Sequence, residues 1–166
     1  MRNILVVDQS TNKTAYNIIS IVNNKPVWKC CSMVVLDAKL DSIQRSNELY
    51  NFLSEMIDEY NIDTLVLEDV PVSRKTNLNV SVVLLKLLGI MELLAEQKGI
   101  KKEIMNVAFW KNKANIKSKT RTEQKKESIQ LALSRWQNYA TIISKSDDVA
   151  DALNMGYAFL RFKNII

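Results

Sequence analysis

Two short apolar runs, Ile4-Leu5-Val6-Val7 and Leu65-Val66-Leu67, each end on an acid, Asp8 and Glu68. Runs without polar alternation read as strands buried on both faces, so these segments belong inside a sheet covered by helices. An acid at the end of such a strand stands where burial would otherwise continue. Two more acids, Asp148 and Asp151, sit three apart in Asp147-Asp148-Val149-Ala150-Asp151-Ala152-Leu153, a spacing that puts both on one helix face. Brought together, the four would repel strongly, since like charges about 4 Å apart cost roughly 4 kcal/mol at an effective dielectric of about 20. A divalent cation removes that repulsion, which makes the four a candidate metal site.

Ordinary structure explains these acids unequally. Asp8 alone is also a good turn cap over Gln9-Ser10-Thr11. Glu68 has less excuse, because strands disfavour Glu and turns use it less than Asp. Asp69 follows directly, but strand alternation sends it to the opposite face. Ser146 is an N-cap candidate, and acids in the turn after it suit the helix dipole, which accounts for Asp147 and Asp148 without any site. Asp151 lies between two alanines on a helix whose Val149, Leu153, Gly156 and Leu160 look core-facing. Spacing admits either Asp147 or Asp148 as its partner, because i,i+3 and i,i+4 share a face.

Strands are expected at 3–8, 14–22 and 26–36, the last two joined as a hairpin by Asn23-Asn24-Lys25-Pro26. A helix over 41–60, a strand over 63–68 and a helix over 78–98 follow. A short strand at 103–107, a basic loop, and helices at 121–137 and 147–163 complete a mixed sheet flanked by helices. With 166 residues, 47% of them hydrophobic, and no linker, the chain reads as one domain over 1–166. The absence of His, with Cys30 and Cys31 adjacent, argues against a disulfide framework or a Cys/His zinc site. No signal peptide opens the sequence and no run approaches the 18 or so residues of a membrane span, so a soluble, cytoplasmic protein is expected. The 78–98 segment is apolar nearly all round between Val80 and Leu94, more than one core needs, which predicts a homodimer through that helix.

Lysine and arginine number 23 against 18 acids, and the excess widens once the four candidate acids are set aside. Between 111 and 126, Lys111, Lys113, Lys117, Lys119, Arg121, Lys125 and Lys126 face only Glu123. Basic surface around an acidic centre is what a phosphodiester substrate requires, although such runs are as often solvated helix faces.

The order of elements, with acids ending the first and fourth strands and lying on the last helix, is that of the ribonuclease H-like fold. Within it the chain resembles the RuvC-type Holliday junction resolvases. The resemblance rests on Ile4-Leu5-Val6-Val7-Asp8 and the residues following to Tyr16, on Leu65-Val66-Leu67-Glu68, on Leu84-Leu85-Lys86-Leu87-Leu88-Gly89, and on Asp148-Val149-Ala150-Asp151-Ala152-Leu153. It favours Asp148 over Asp147. It implies an α/β nuclease that cuts four-way DNA junctions by paired nicks in a homodimer. Two Mg²⁺ ions, replaceable by Mn²⁺, would be held with Asp8 bridging, Glu68 on one side, and Asp148 and Asp151 on the other. Lys111 or Lys125 would offset charge on the reacting phosphate, and Arg74 and Lys75 would lie near the junction centre. Small size and Lys/Asn/Ile-rich usage resemble a phage-encoded member. The chain departs from the family in having Gln9-Ser10 for the usual Pro-Gly, and Val70-Pro71-Val72 where an aromatic often follows the Glu. A nuclease of this fold acting on RNA–DNA hybrid or folded RNA is the alternative. A phosphotransferase is a weaker one, because Asp8-Gln9-Ser10-Thr11 resembles the first phosphate loop of the actin and sugar-kinase proteins, which use two such domains.

Overall fold

The computed structural model describes residues 2–70 and 78–166. The strands are β1 (Arg2–Asp8), β2 (Lys13–Val22), β3 (Lys25–Val35), β4 (Thr64–Glu68) and β5 (Lys101–Met105). The helices are α1 (Ser42–Glu59), α2 (Leu78–Gln97), α3 (Val107–Ala114), α4 (Arg121–Arg135), α5 (Ala140–Ile143) and α6 (Asp147–Phe162), with a 3₁₀ turn at Gln137–Tyr139. The five strands form one sheet in the order β3-β2-β1-β4-β5. β2 runs antiparallel to both neighbours, and β4 lies parallel to β1 and β5. This is the mixed, helix-flanked sheet of the ribonuclease H-like fold.

Alternation along β1 divides the core. Leu5 and Val7 pack with Leu65 and Leu67 beneath α1 and α2, while Ile4 and Val6 pack with Val66 beneath α3 and α6. The continuous apolar runs of β1 and β4 therefore reflect burial on both faces. α1 begins at a capping box, in which Asp41 accepts from the Ile43 and Gln44 amides and Gln44 reaches back. Asn61, with φ 50°, turns the chain toward β4 after α1.

α6 lies directly on the sheet. The Asn17 side chain on β2 donates to the Ala152 carbonyl at 2.7 Å, and Gly156, one turn later, faces Ile19 and Asn17 so closely that even a methyl there would require a neighbour to shift.

Most boundaries fall within two residues of expectation. β5 starts two residues early because it is an edge strand carrying Lys101, Lys102 and Glu103, with no apolar run to mark it. The larger difference is the expected basic loop. Its first half is α3, capped by Asn106, which accepts from the Ala108 and Phe109 amides, and closed by Asn115 at φ 70°. A second correction concerns membranes: α2 is, by length and composition, long and apolar enough to cross one, against the expectation that no segment is. Leu87, Leu88, Met91, Leu94 and Ala95 instead bury one of its faces in the core with α1 and the sheet.

Candidate active site

The site is built by the parity of two strands. Asp8 falls on the same face of β1 as Ile4 and Val6, and Glu68 on the same face of β4 as Val66, so both point toward the α3 and α6 layer. The parallel register ends with Val7 opposite Leu67, which places Asp8 and Glu68 side by side at the next rung. Beyond that rung the ladder is continued by a side chain. The Gln9 amide donates to the Glu68 carbonyl at 2.5 Å and accepts from the Glu68 N–H at 3.3 Å. Gln9 thus takes the place of a further strand residue, and this is how the turn copes without Pro-Gly. On the other side the Asp69 N–H donates to the Met105 carbonyl, tying the same strand end to β5.

The Glu68 carboxylate is aimed by a residue that sequence reasoning passed over. Trp110 on α3, fully buried among Ile4, Val6 and Val66, donates its indole N–H to Glu68 Oε1 at 2.7 Å. Its mark in the sequence is the aromatic pair Phe109-Trp110 directly before Lys111.

The four acids feel one another. Part of the Asp8 side chain reaches solvent, yet protein encloses it closely enough that burial pushes its carboxyl well above the ordinary range, and the charges of Glu68, Asp151 and Asp148 push it further. Glu68 is raised by burial and by Asp151, against the pull of Trp110 and Lys111. Burial also raises Asp151, opposed by a short hydrogen bond from the Ser128 hydroxyl and by Lys111. Asp148 is raised by burial and by its neighbour Asp147, and lowered by Lys125, Lys13 and Arg121.

The two acids that spacing leaves open both bear on Asp151, and they differ in their other partners. Asp148 acts on Asp8, whereas Asp147 forms an ion pair with Lys125. Burial works against Asp147, but the hydrogen bond and charge of Lys125 outweigh it and hold that carboxyl below its ordinary value.

The cations divide accordingly. Lys111 sits at the centre: its charge pulls on Asp8, Glu68 and Asp151, and its Nζ donates to Gln124 Oε1 at 3.1 Å. Lys125, held by Asp147, bears on Asp148 from the margin. Lys117, Lys119, Arg121 and Lys126 are exposed, and Lys113 lies over the Phe109 ring at 5.8 Å. Lys13, absent from the sequence-based candidates, also faces Asp148. Arg74 and Lys75 lie outside the described residues.

Among the described residues, no three of these acids stand together as a ready-made metal-ligand set. The donors nevertheless fit a hard divalent cation in kind. All are carboxylates, no His or Cys competes, and their enclosed, mutually repelling charge is what such an ion neutralises. Binding requires the side chains to close around it.

The sequence matches the family model described as Lactococcus phage M3 protein (DUF3882) over residues 1–160. The chain belongs to that family. No curated protein matches the sequence of this M3-family chain. Solved structures are similar to it over nearly its full length. Thermus thermophilus RuvC in complex with a Holliday junction substrate superposes with a TM-score of 0.74 at 11% identity, covering 98% of this chain and 96% of that one. Fowlpox virus resolvase in complex with Holliday junction DNA gives 0.69 at 18% identity, covering 97% and 98%. The yeast mitochondrial resolvase Ydc2 gives 0.63 at 17% identity, covering 98% and 79%. At these identities the likeness establishes the fold, which is that of the RuvC-type resolvases.

Proposed function

We propose that this M3-family chain is a divalent-metal-dependent endonuclease that resolves four-way DNA junctions as a homodimer. The observation that carries the reading is the convergence of Asp8, Glu68, Asp148 and Asp151 at one end of β1, β4 and α6, in a fold shared with proteins solved on Holliday junctions. These four acids would hold Mg²⁺ or Mn²⁺. When bound, such ions supply an activated water and Lewis-acid stabilisation of the phosphate undergoing attack. The protein's own contributions are positional. Trp110 aims Glu68, Gln9 locks the two strand ends together, and Lys111 places a cation where charge builds on the phosphate. Lys113, Lys117, Lys119, Arg121, Lys125 and Lys126 offer a basic margin for the DNA backbone, a contact that confers affinity without sequence information.

The test is one panel: labelled four-way junction, flap, plain duplex and RNA–DNA hybrid, each with and without Mg²⁺ or Mn²⁺. Paired, metal-dependent nicks in the junction are expected. Cutting of hybrid while junctions stay intact would overturn the reading.

The dimer draws support from α2. Leu78, Val82, Leu85 and Leu93 stay exposed on a helix whose opposite face is in the core, and their spacing gathers them into one stripe. A second copy would cover it and present a second site to the opposing strand. Leu85→Glu is expected to convert the protein to a monomer by light scattering and to separate the two nicks in time. A variant that remains dimeric excludes this face as the interface.

A further inference from the structure

Behind Asp151 the polar contacts form a chain with a fixed direction. The Arg135 guanidinium donates to Asn154 Oδ1 at 2.7 Å, and through its other terminal nitrogen to the Ala114 carbonyl at 2.8 Å. With its oxygen thus occupied, Asn154 turns its amide nitrogen to Ser128, donating to the Ser128 carbonyl and hydroxyl oxygens at 2.9 Å each. Because that nitrogen only donates, Ser128 Oγ accepts there, and its one proton is left for Asp151 Oδ1. Ser128 and Asn154 are both fully buried, so no water competes for these groups. Every link points the same way, from a permanent cation to a candidate metal ligand, and such chains polarise cooperatively. The chain also crosses elements. Arg135 and Ser128 lie on α4 and Asn154 on α6, while Ala114 ends α3, the helix whose Trp110 aims Glu68.

We infer that Ser128 is a positioning residue for metal capture. Driven by Arg135 and Asn154, it holds Asp151 by Oδ1 and leaves the other carboxylate oxygen for the ion. This rests on the metal-dependent reading proposed above. Hydrogen-bond partners of this kind fix ligand orientation, and their loss typically lowers metal affinity about 10- to 100-fold.

Mn²⁺ titration of the DNA-free full chain, followed by electron paramagnetic resonance, tests it alongside thermal unfolding. Ser128→Ala, which preserves volume, is expected to weaken Mn²⁺ binding about tenfold or more with the unfolding midpoint little changed. Ser128→Thr, which keeps the hydroxyl, is expected to bind as the unaltered chain does. Asn154→Asp retains an acceptor for Arg135 but has no proton to donate to Ser128, so at temperatures below its own unfolding midpoint it should show the same loss as Ser128→Ala. Unchanged Mn²⁺ affinity in Ser128→Ala, or a loss in Ser128→Thr as large as in Ser128→Ala, overturns the positioning role alone. Failure of the unaltered chain to bind Mn²⁺ overturns the metal reading and this inference with it.

Discussion

Replacing Asp8 with Asn is expected to abolish metal-dependent cleavage, leave junction binding in place and raise the unfolding midpoint of the metal-free protein. The first effect follows from the position of Asp8 between Glu68 and the two α6 acids. In the proposed function Asp8 is a shared metal ligand, and its loss would forfeit several kcal/mol of metal-derived stabilisation; each 1.36 kcal/mol is a factor of ten, so the rate should fall at least about a thousandfold. The last effect has the opposite sign because burial and three neighbouring charges raise the Asp8 carboxyl. Between its ordinary value and that raised one, the folded state binds protons that the unfolded state has released. Stability therefore falls as pH rises through this window, so a carboxyl at position 8 costs stability at pH values above its ordinary range. Asn keeps the shape and removes the charge. Differential scanning fluorimetry without metal should show Asp8→Asn melting above the unaltered chain at neutral pH, with the gap closing on acidification. Added Mg²⁺ should stabilise the unaltered chain only. A variant that melts lower, or still cuts, refutes the assignment.

That a site should be stabilised by removing one of its acids explains why these residues were legible in the sequence. Asp8 and Glu68 interrupt runs that burial would otherwise extend, and Asp151 interrupts a helix face whose Met155 and Ala158 pack with Ile4, Val6 and Trp110. Each is a local misfit that no fold-level argument demands. The central strands were readable for the same reason, being buried on both sides. What escaped notice has no such signature. α3 is short and five of its eight residues are Lys, Asn or Ala; tertiary burial of Trp110 and the asparagines at its ends make it a helix. Gln9 looks like any turn residue until β4 lies beside it. Ser128 sits in an ordinary polar helix, and only the approach of α6 turns its hydroxyl toward Asp151. Lys125 is likewise indistinguishable in sequence from Lys111, and the difference between them is made by Asp147. Strain and charge leave a mark in one dimension, whereas cooperative hydrogen bonding between distant segments does not.

The same approach of α6 to the sheet sets the second large effect. A Cβ at position 156 would lie 2.9 Å from Ile19 Cδ1, 3.1 Å from Asn17 Oδ1 and 3.4 Å from Val6 Cγ2. Those atoms belong to fully buried residues with little freedom to retreat, so a larger residue must lift the helix. Gly156→Ala gains about 1 kcal/mol of helix propensity and loses a comparable amount to the clash, leaving stability nearly unchanged. Gly156→Val adds two methyl groups and gains less propensity, and it is expected to destabilise by about 2 kcal/mol or more, lowering the midpoint by roughly 4–8 °C in a chain of this size. The displacement should also reach the chemistry. Asp148 and Asp151 lie one to two turns before Gly156, and the Asn17 bond to Ala152 anchors the stretch between. Lifting that stretch draws two of the four acids away from Asp8 and Glu68, and a misplacement of about 1 Å can cost about a hundredfold in rate. Junction cleavage by Gly156→Val, assayed well below its midpoint so that the protein is folded, should therefore fall far more than that of Gly156→Ala. Equal cleavage by the two would mean that the position of α6 does not govern the site.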